Sequence, residues 1–261
     1  MNNCKVANML TVNKGLAEKQ MIRVSTLPSR KIVTLVNLCH DKNIQLSCND
    51  ISPYDMAVMD AFYTLYKSGY QTFSLQTVIR VMSGNMDQDI TAQKIARLKE
   101  SVEIQSGNQT VVEGYRLLEL PALYAYAERI KQMISVPIEL LASTGGFLPD
   151  TDENVILKRY LLKRIARMKK EKATVYSRRI RYEWYDRKTQ REKGMFAELG
   201  YREEDFASRS SWLNKRAKVH KAVKQILDAF RQAGYIAGYS ETREGNAITG
   251  VEILLGETTE K

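Results

Sequence analysis

Cysteine and histidine are scarce in this sequence, with three and two copies in 261 residues. Cys4, Cys39 and Cys48 are odd in number and lack metal-ligand spacing, which predicts reduced thiols and excludes both a disulfide framework and a zinc finger. His40 and His220 lie far apart in the chain, so a metal held by neighbouring imidazoles beside a nucleophilic tyrosine, as nicking would need, has no sequence signal. His40 reads as a surface turn residue and His220 as a donor or partly packed side chain. There is no Gly-rich turn ending in Gly-Lys-Ser/Thr to cradle phosphates. There is also no run of 18 or more apolar residues, and the N-terminal MNNCKVANMLTVNKG lacks the apolar core of a signal peptide. These absences predict a cytoplasmic protein without cofactor, metal or catalytic residues. The pairs Asp87-Gln88-Asp89 and Asp150-Thr151-Asp152 each precede a helical pattern, where acids act as caps more readily than as metal ligands.

What is present in excess is positive charge. Lys and Arg number 40 against 30 Asp and Glu, a net charge of +10. Residues 1–150 hold 15 bases and 14 acids, whereas 151–261 hold 25 and 16, and within 151–224 the balance is 22 to 10. A field concentrated in half the chain is the footprint expected of a phosphate-backbone partner. A membrane surface fits less well, because the basic helices present no Trp or Phe to the headgroup layer.

The periodicities predict two domains with a boundary at Ser143-Thr144-Gly145-Gly146: an arm over 1–30, a first domain over 31–146 and a second, basic one over 147–261. In the first, IVTLVNLC and NIQLSC read as short strands around a polar turn. The helix PYDMAVMDAFYTLYKSG follows, capped by Ser52 with Pro53 at its first position and with Asp60 and Lys67 on its polar side. SLQTVIRVMSG, between Ser74 and Gly84, and TAQKIARLK supply two more helices. SVEIQSGN and VVEGYRLLEL alternate around Ser106-Gly107-Asn108 as a hairpin, and LYAYAERIKQMISV reads as two further strands or one helix.

In the second domain TDENVILKRYLLKRIARMKK places Leu157, Leu161, Ile165 and Met168 on one face, with Arg159, Lys163, Arg167 and Lys170 nearly opposite. Between Glu153 and Glu171 no acid balances these bases. A basic, strand-like VYSRRIRYEWYDR, a short helix at MFAELG, a long helix over about Ser211–Ala233 and a hairpin around Thr242–Asn246 complete the chain. On the long helix Lys218, Lys221 and Lys224 lie opposite Val219, Val223, Ile226 and Phe230. Each half thus reads as helices followed by a hairpin, which predicts an α+β protein of two winged helix-turn-helix domains in tandem.

The chemistry that remains is binding. Arg178, Arg179 and Arg181 are interleaved with Tyr176, Tyr182, Trp184 and Tyr185, so guanidinium groups can meet phosphates while rings pack or stack. Arg159, Lys163, Arg167, Lys170, Lys215, Arg216, Lys218, Lys221 and Lys224 are further phosphate candidates, Lys215 lying nearest the apolar side of its helix, and Arg243 sits at the hairpin tip. In the first domain Thr91, Gln93, Lys94 and Arg97 are of types that read base edges or hold phosphates, although that domain's weaker charge equally suits a dimer contact.

LYAYAERIKQMISVPIELL followed by TDENVILKRYLLKRIARMKK resembles the central region of replication initiator proteins from plasmids and integrative elements of Gram-positive bacteria, and the resemblance extends more weakly over residues 51–255. It implies two winged-helix domains, binding to repeats in double-stranded origin DNA, strand opening, and contact with a host replicative helicase or its loader, without catalytic residues. Two rival expectations stand beside it. One is a transcriptional regulator of a mobile element, and the other is a tyrosine-dependent nicking or joining enzyme drawing on His220, Arg216 and Tyr235.

Overall fold

A computed structural model gives the fold and describes residues 9–13, 33–34, 44–47, 52–106, 109–112, 115–117, 124, 128–129, 133–142, 148, 151–171, 178–188 and 191–256. Cys4, Cys39, Cys48, His40 and Tyr176 lie outside them, as does the boundary expected at Ser143-Thr144-Gly145-Gly146. The chain is mixed α+β, with small antiparallel sheets, and divides into two compact units, Met1–Ala142 and Ser143–Lys261. No helix among the described residues is long and apolar enough to cross a membrane.

The first unit contains strand β1 (Met9–Asn13), so the expected N-terminal arm is in part a strand. Strands β2 (Val33–Thr34) and β3 (Ile44–Ser47) pair antiparallel, Val33 facing Leu46. Helix α1 (Pro53–Lys67) starts in a capping box, in which the Asp55 N–H donates to Ser52 Oγ at 3.3 Å and the Ser52 N–H to Asp55 Oδ2 at 2.7 Å. It is enclosed on every side along its first turns. Asp60, expected on a solvated face, is 0% exposed, and Met56, Ala57, Val58 and Met59 around it are all buried. A helix with apolar residues all round belongs inside a unit, and the Asp60 correction follows from that.

Helices α2 (Leu75–Ser83) and α3 (Ala92–Ser106) come next, α2 ending at Gly84 in a left-handed cap. Helix α3 absorbs SVEIQS, which had been expected as a strand. Gln105 Nε2 donates to Ser101 Oγ at 2.8 Å and to the Asp55 carbonyl at 3.2 Å, so two polar residues fill buried helical positions where hydrophobic ones would have revealed the period. The hairpin is displaced to β4 (Gln109–Val112) and β5 (Tyr115–Leu117), in a sheet of order β2-β3-β4-β5. Strand β6 (Met133–Pro137) pairs with β1, and the short helix α4 (Glu139–Ala142) closes the unit.

The second unit opens with helix α5 (Asp152–Lys170), where the Asn154 N–H donates to Thr151 Oγ1 at 3.3 Å. Strand β7 (Arg179–Arg181) follows, then a hairpin of β8 (Trp184–Asp186) with β9 (Arg191–Lys193), helix α6 (Met195–Glu198) and a 3₁₀ turn (Glu203–Asp205). Helix α7 (Arg209–Gln232) leads into β10 (Gly238–Glu244) and β11 (Ala247–Leu254). The three-stranded sheet has the order β10-β11-β7, with Val251 opposite Ile180. Gly250 permits this pairing, since a Cβ there would lie 2.3 Å from the Ile180 carbonyl oxygen. The core gathers Leu161, Ile165, Ile180, Tyr182, Phe196, Trp212, Val223, Ile226, Phe230, Val251 and Ile253.

Candidate nucleic-acid interface

Helix α7 begins where Ser208 accepts the Ser211 N–H at 3.2 Å, and its period divides it cleanly. Trp212, Val219, Val223, Ile226, Leu227 and Phe230 are buried, while Asn214, Lys218, Lys221 and Lys224 are exposed. Those four stand at intervals of four, three and three residues and so form one stripe on the outer face. The three lysines were legible in the sequence. Asn214 was not singled out, although a position one turn before Lys218 identified it.

The β10–β11 hairpin is tied to that helix by a carboxylate. Glu241 accepts from Lys224 at 3.1 Å and from Arg243 Nη2 at 2.7 Å, with Arg243 at the exposed tip. Hydrogen bonds from Arg243 and Lys224 hold the Glu241 carboxyl below the usual carboxylate range. The turn is tight, Gly245 taking φ +58°, and a bulge at Thr242/Arg243 bends the strand beside it.

Beneath α7 the aromatic side chains form a packed cluster. His220 stacks on Tyr182 with ring centroids 4.4 Å apart, and Phe196 meets Trp212 edge-on at 5.5 Å. Burial first, then the nearby Arg216 charge, pushes the His220 pKa down, and its Nε2 is buried without a hydrogen-bond partner. Arg216 is half-buried, with its guanidinium 3.1 Å from Glu183. Lys215 forms an ion pair with Glu153 and lies 4.8 Å from the Tyr201 ring centroid. Burial alone would raise the Glu153 pKa, but hydrogen bonds from Lys215 and from Tyr201 Oη (2.8 Å) outweigh it and hold the carboxyl below the usual carboxylate range. Lys215 and Arg216 are therefore structural ties of α7, which corrects their expected place among the solvated phosphate ligands.

Helix α5 departs further from expectation. Arg159 and Lys163 are 2% and 6% exposed, and Lys158 is wholly buried, so no wetted stripe runs through them. Residues 157–163 are buried on every side, and a one-faced helix is the wrong pattern for a helix enclosed like α1. The bases it leaves at least partly accessible are Arg164, Arg167, Lys169 and Lys170. Arg167 Nε donates to Glu171 at 3.0 Å, and Lys170 is exposed at the helix end. Lys169 rests 3.9 Å from the Tyr235 ring centroid, where burial pushes its pKa down.

Arg164 was missed in the sequence, and it lines a pocket of about 180 Å³ together with Tyr160, Arg179, Arg181, Trp184, Gly194 and Glu198. Arg179 Nε lies 3.0 Å from Glu252, and Arg181 is exposed with its guanidinium 5.8 Å from the Trp184 ring centroid. Gly194, at φ +116°, lies against the Tyr182 carbonyl, which a Cβ would approach to 2.5 Å. Tyr182 is core, with its hydroxyl pKa raised by burial, whereas Trp184 is 39% exposed. Arg178, two residues before the core Ile180, is half-buried.

In the first unit Thr91 accepts the Lys94 N–H at 3.3 Å as the cap of α3, so its hydroxyl serves the helix end. Gln93 is exposed, Lys94 is half-buried, and Arg97 is exposed with its guanidinium 4.3 Å from the Tyr54 ring centroid.

No family model, curated protein or solved structure matches the chain. The resemblance to replication initiators therefore rests on the sequence segments alone. Among the described residues no group of three or more His, Cys, Asp and Glu is placed to hold a metal ion. What the second unit assembles is a set of cationic donors on a rigid helix, a hairpin beside it, and an arginine-lined pocket. Such groups bind anions and planar rings.

Proposed function

We propose that the chain binds double-stranded DNA through its second unit, with α7 entering the major groove and the β10–β11 hairpin acting as a wing beside it. The observation that carries this reading is the exposed Asn214, Lys218, Lys221 and Lys224 stripe, backed by a core face on the same helix and followed at once by a hairpin bearing Arg243. The order α5, β7, α6, α7, β10, β11 with sheet order β10-β11-β7 supports a winged helix-turn-helix. Asn at Asn214 is of a type that pairs with adenine, and the lysines neutralise phosphates. With the initiator resemblance, this supports binding of origin repeats of a mobile element, followed by contact with a host replicative helicase or its loader.

The testing measurement is the salt dependence of duplex binding. About four neutralised phosphates, one for each of Lys218, Lys221, Lys224 and Arg243, predict a slope of log K against log salt near roughly −3 to −4, and a slope shallower than about −1 would contradict a phosphate footprint.

A further inference from the structure

The pocket bounded by Arg164, Arg179, Arg181 and Trp184 is unused by the duplex reading, and it is built unlike a flat backbone contact. Its side chains come from α5, β7, β8 and the segment around α6, so secondary structure fixes their places. Arg164 Nε is buried without a hydrogen-bond partner, which leaves a cationic donor at the wall unsatisfied. Arg181 lies 5.8 Å from the Trp184 ring centroid, near the outer limit for a cation–π contact, so a ligand can draw it away at small cost. Arg179 is held by Glu252 at 3.0 Å, which leaves Arg164 and Arg181 as the cationic donors of the lining toward a ligand. A phosphate monoester carries about −1.5 to −2 near neutral pH and three acceptor oxygens, so two guanidinium groups hold it more strongly than a backbone diester with its single charge. The exposed Trp184 ring offers a face for a base, and Gly194 lets the wall pack directly on the Tyr182 carbonyl.

We propose that this pocket binds a nucleotide through its terminal phosphate, with the phosphate against Arg164 and Arg181 and the base against Trp184. A free mononucleotide and the 5′-phosphorylated end of a single strand share this chemistry. A base inside a duplex does not, because it is already stacked and its phosphate is a diester.

Calorimetric titration of the full chain tests the proposal with thymidine, thymidine 5′-monophosphate, and tetrathymidylate bearing either a 5′-phosphate or a 5′-hydroxyl. The 5′-phosphorylated strand should bind about tenfold or more tightly than the 5′-hydroxyl strand, the size of one charge-assisted hydrogen bond, and thymidine should not bind. Trp184→Ala should weaken the phosphorylated strand roughly 5- to 100-fold, with Trp184→Phe retaining most of the affinity, and Arg181→Ala should remove the preference for phosphate. Equal affinity for monophosphate and phosphorylated strand would assign the free nucleotide, and tighter strand binding the strand end; either supports the pocket. Equal binding of the two strands, no binding of the phosphorylated one, or full affinity in both Trp184→Ala and Arg181→Ala would overturn it. A blunt duplex with hydroxyl ends forms the separate arm, since its binding reports on the α7 surface and its failure leaves the pocket result standing.

Discussion

Helix α3 in the first unit and helix α7 in the second each precede an antiparallel hairpin, yet they differ in what they show to solvent. Helix α3 exposes Gln93, Arg97 and Lys99 together with Glu100 and Glu103, a nearly balanced surface on which Arg97 is drawn to the Tyr54 ring. Helix α7 exposes Asn214, Lys218, Lys221 and Lys224, with the acid nearest the last of them, Glu241, shared between Lys224 and Arg243. A similar local arrangement thus supports two surfaces, and the charge each carries, rather than the order of elements, distinguishes a polyanion partner from a protein contact.

The largest effect expected from probing this difference falls on the buried bases. Lys163→Glu reverses a charge in an enclosed helix and should cost about 3–5 kcal/mol, whereas Lys221→Glu on the exposed stripe should change stability by under about 0.5 kcal/mol. Thermal melts followed by circular dichroism compare the two, and an unchanged melting temperature in Lys163→Glu would place that side chain back in solvent.

A smaller effect concerns His220, which has no counterpart in α3. Its folded-state pKa is depressed, so the unfolded chain takes up the proton first. Its contribution to stability is full above the unfolded value of about 6.5 and is lost as pH falls from there through the folded value. The melting temperature should therefore decline as pH falls below about 6.5, and His220→Phe should flatten that decline. An equally steep fall in the variant would assign the acid sensitivity elsewhere.

The smallest effect is expected at the wing. Glu241→Gln releases Lys224 and Arg243 from their shared acid, so duplex affinity should rise a few-fold and the salt slope should steepen by about one. Fluorescence anisotropy at several salt concentrations reads both quantities, and weaker binding would show that Glu241 positions the hairpin rather than restraining its cations.

The sequence revealed α7 well because Trp212, Val219, Val223, Ile226 and Phe230 fall on one side and uninterrupted bases on the other. It revealed the β10–β11 hairpin through alternation on either side of Thr242–Asn246. It misread α5 and α1, since these enclosed helices carry Lys158, Arg159, Lys163 and Asp60, and a helical wheel assigns every charge to water. The end of α3 was hidden because Ser101 and Gln105 fill buried positions with hydrogen-bonded polar groups. The arginine pocket needed Arg164 on α5 and Arg181 on β7 to meet, a long-range juxtaposition that periodicity does not encode.

The most direct test of the division between the two helices is a paired titration of the full chain against one origin-like duplex. Lys218→Glu with Lys221→Glu on α7 is set against Lys94→Glu with Arg97→Glu on α3. The α7 pair should weaken binding about tenfold or more and make the salt slope shallower by about two, while the α3 pair should change the slope by less than about one. Equal losses from the two pairs, or a larger loss from α3, would contradict the assignment of duplex binding to the second unit.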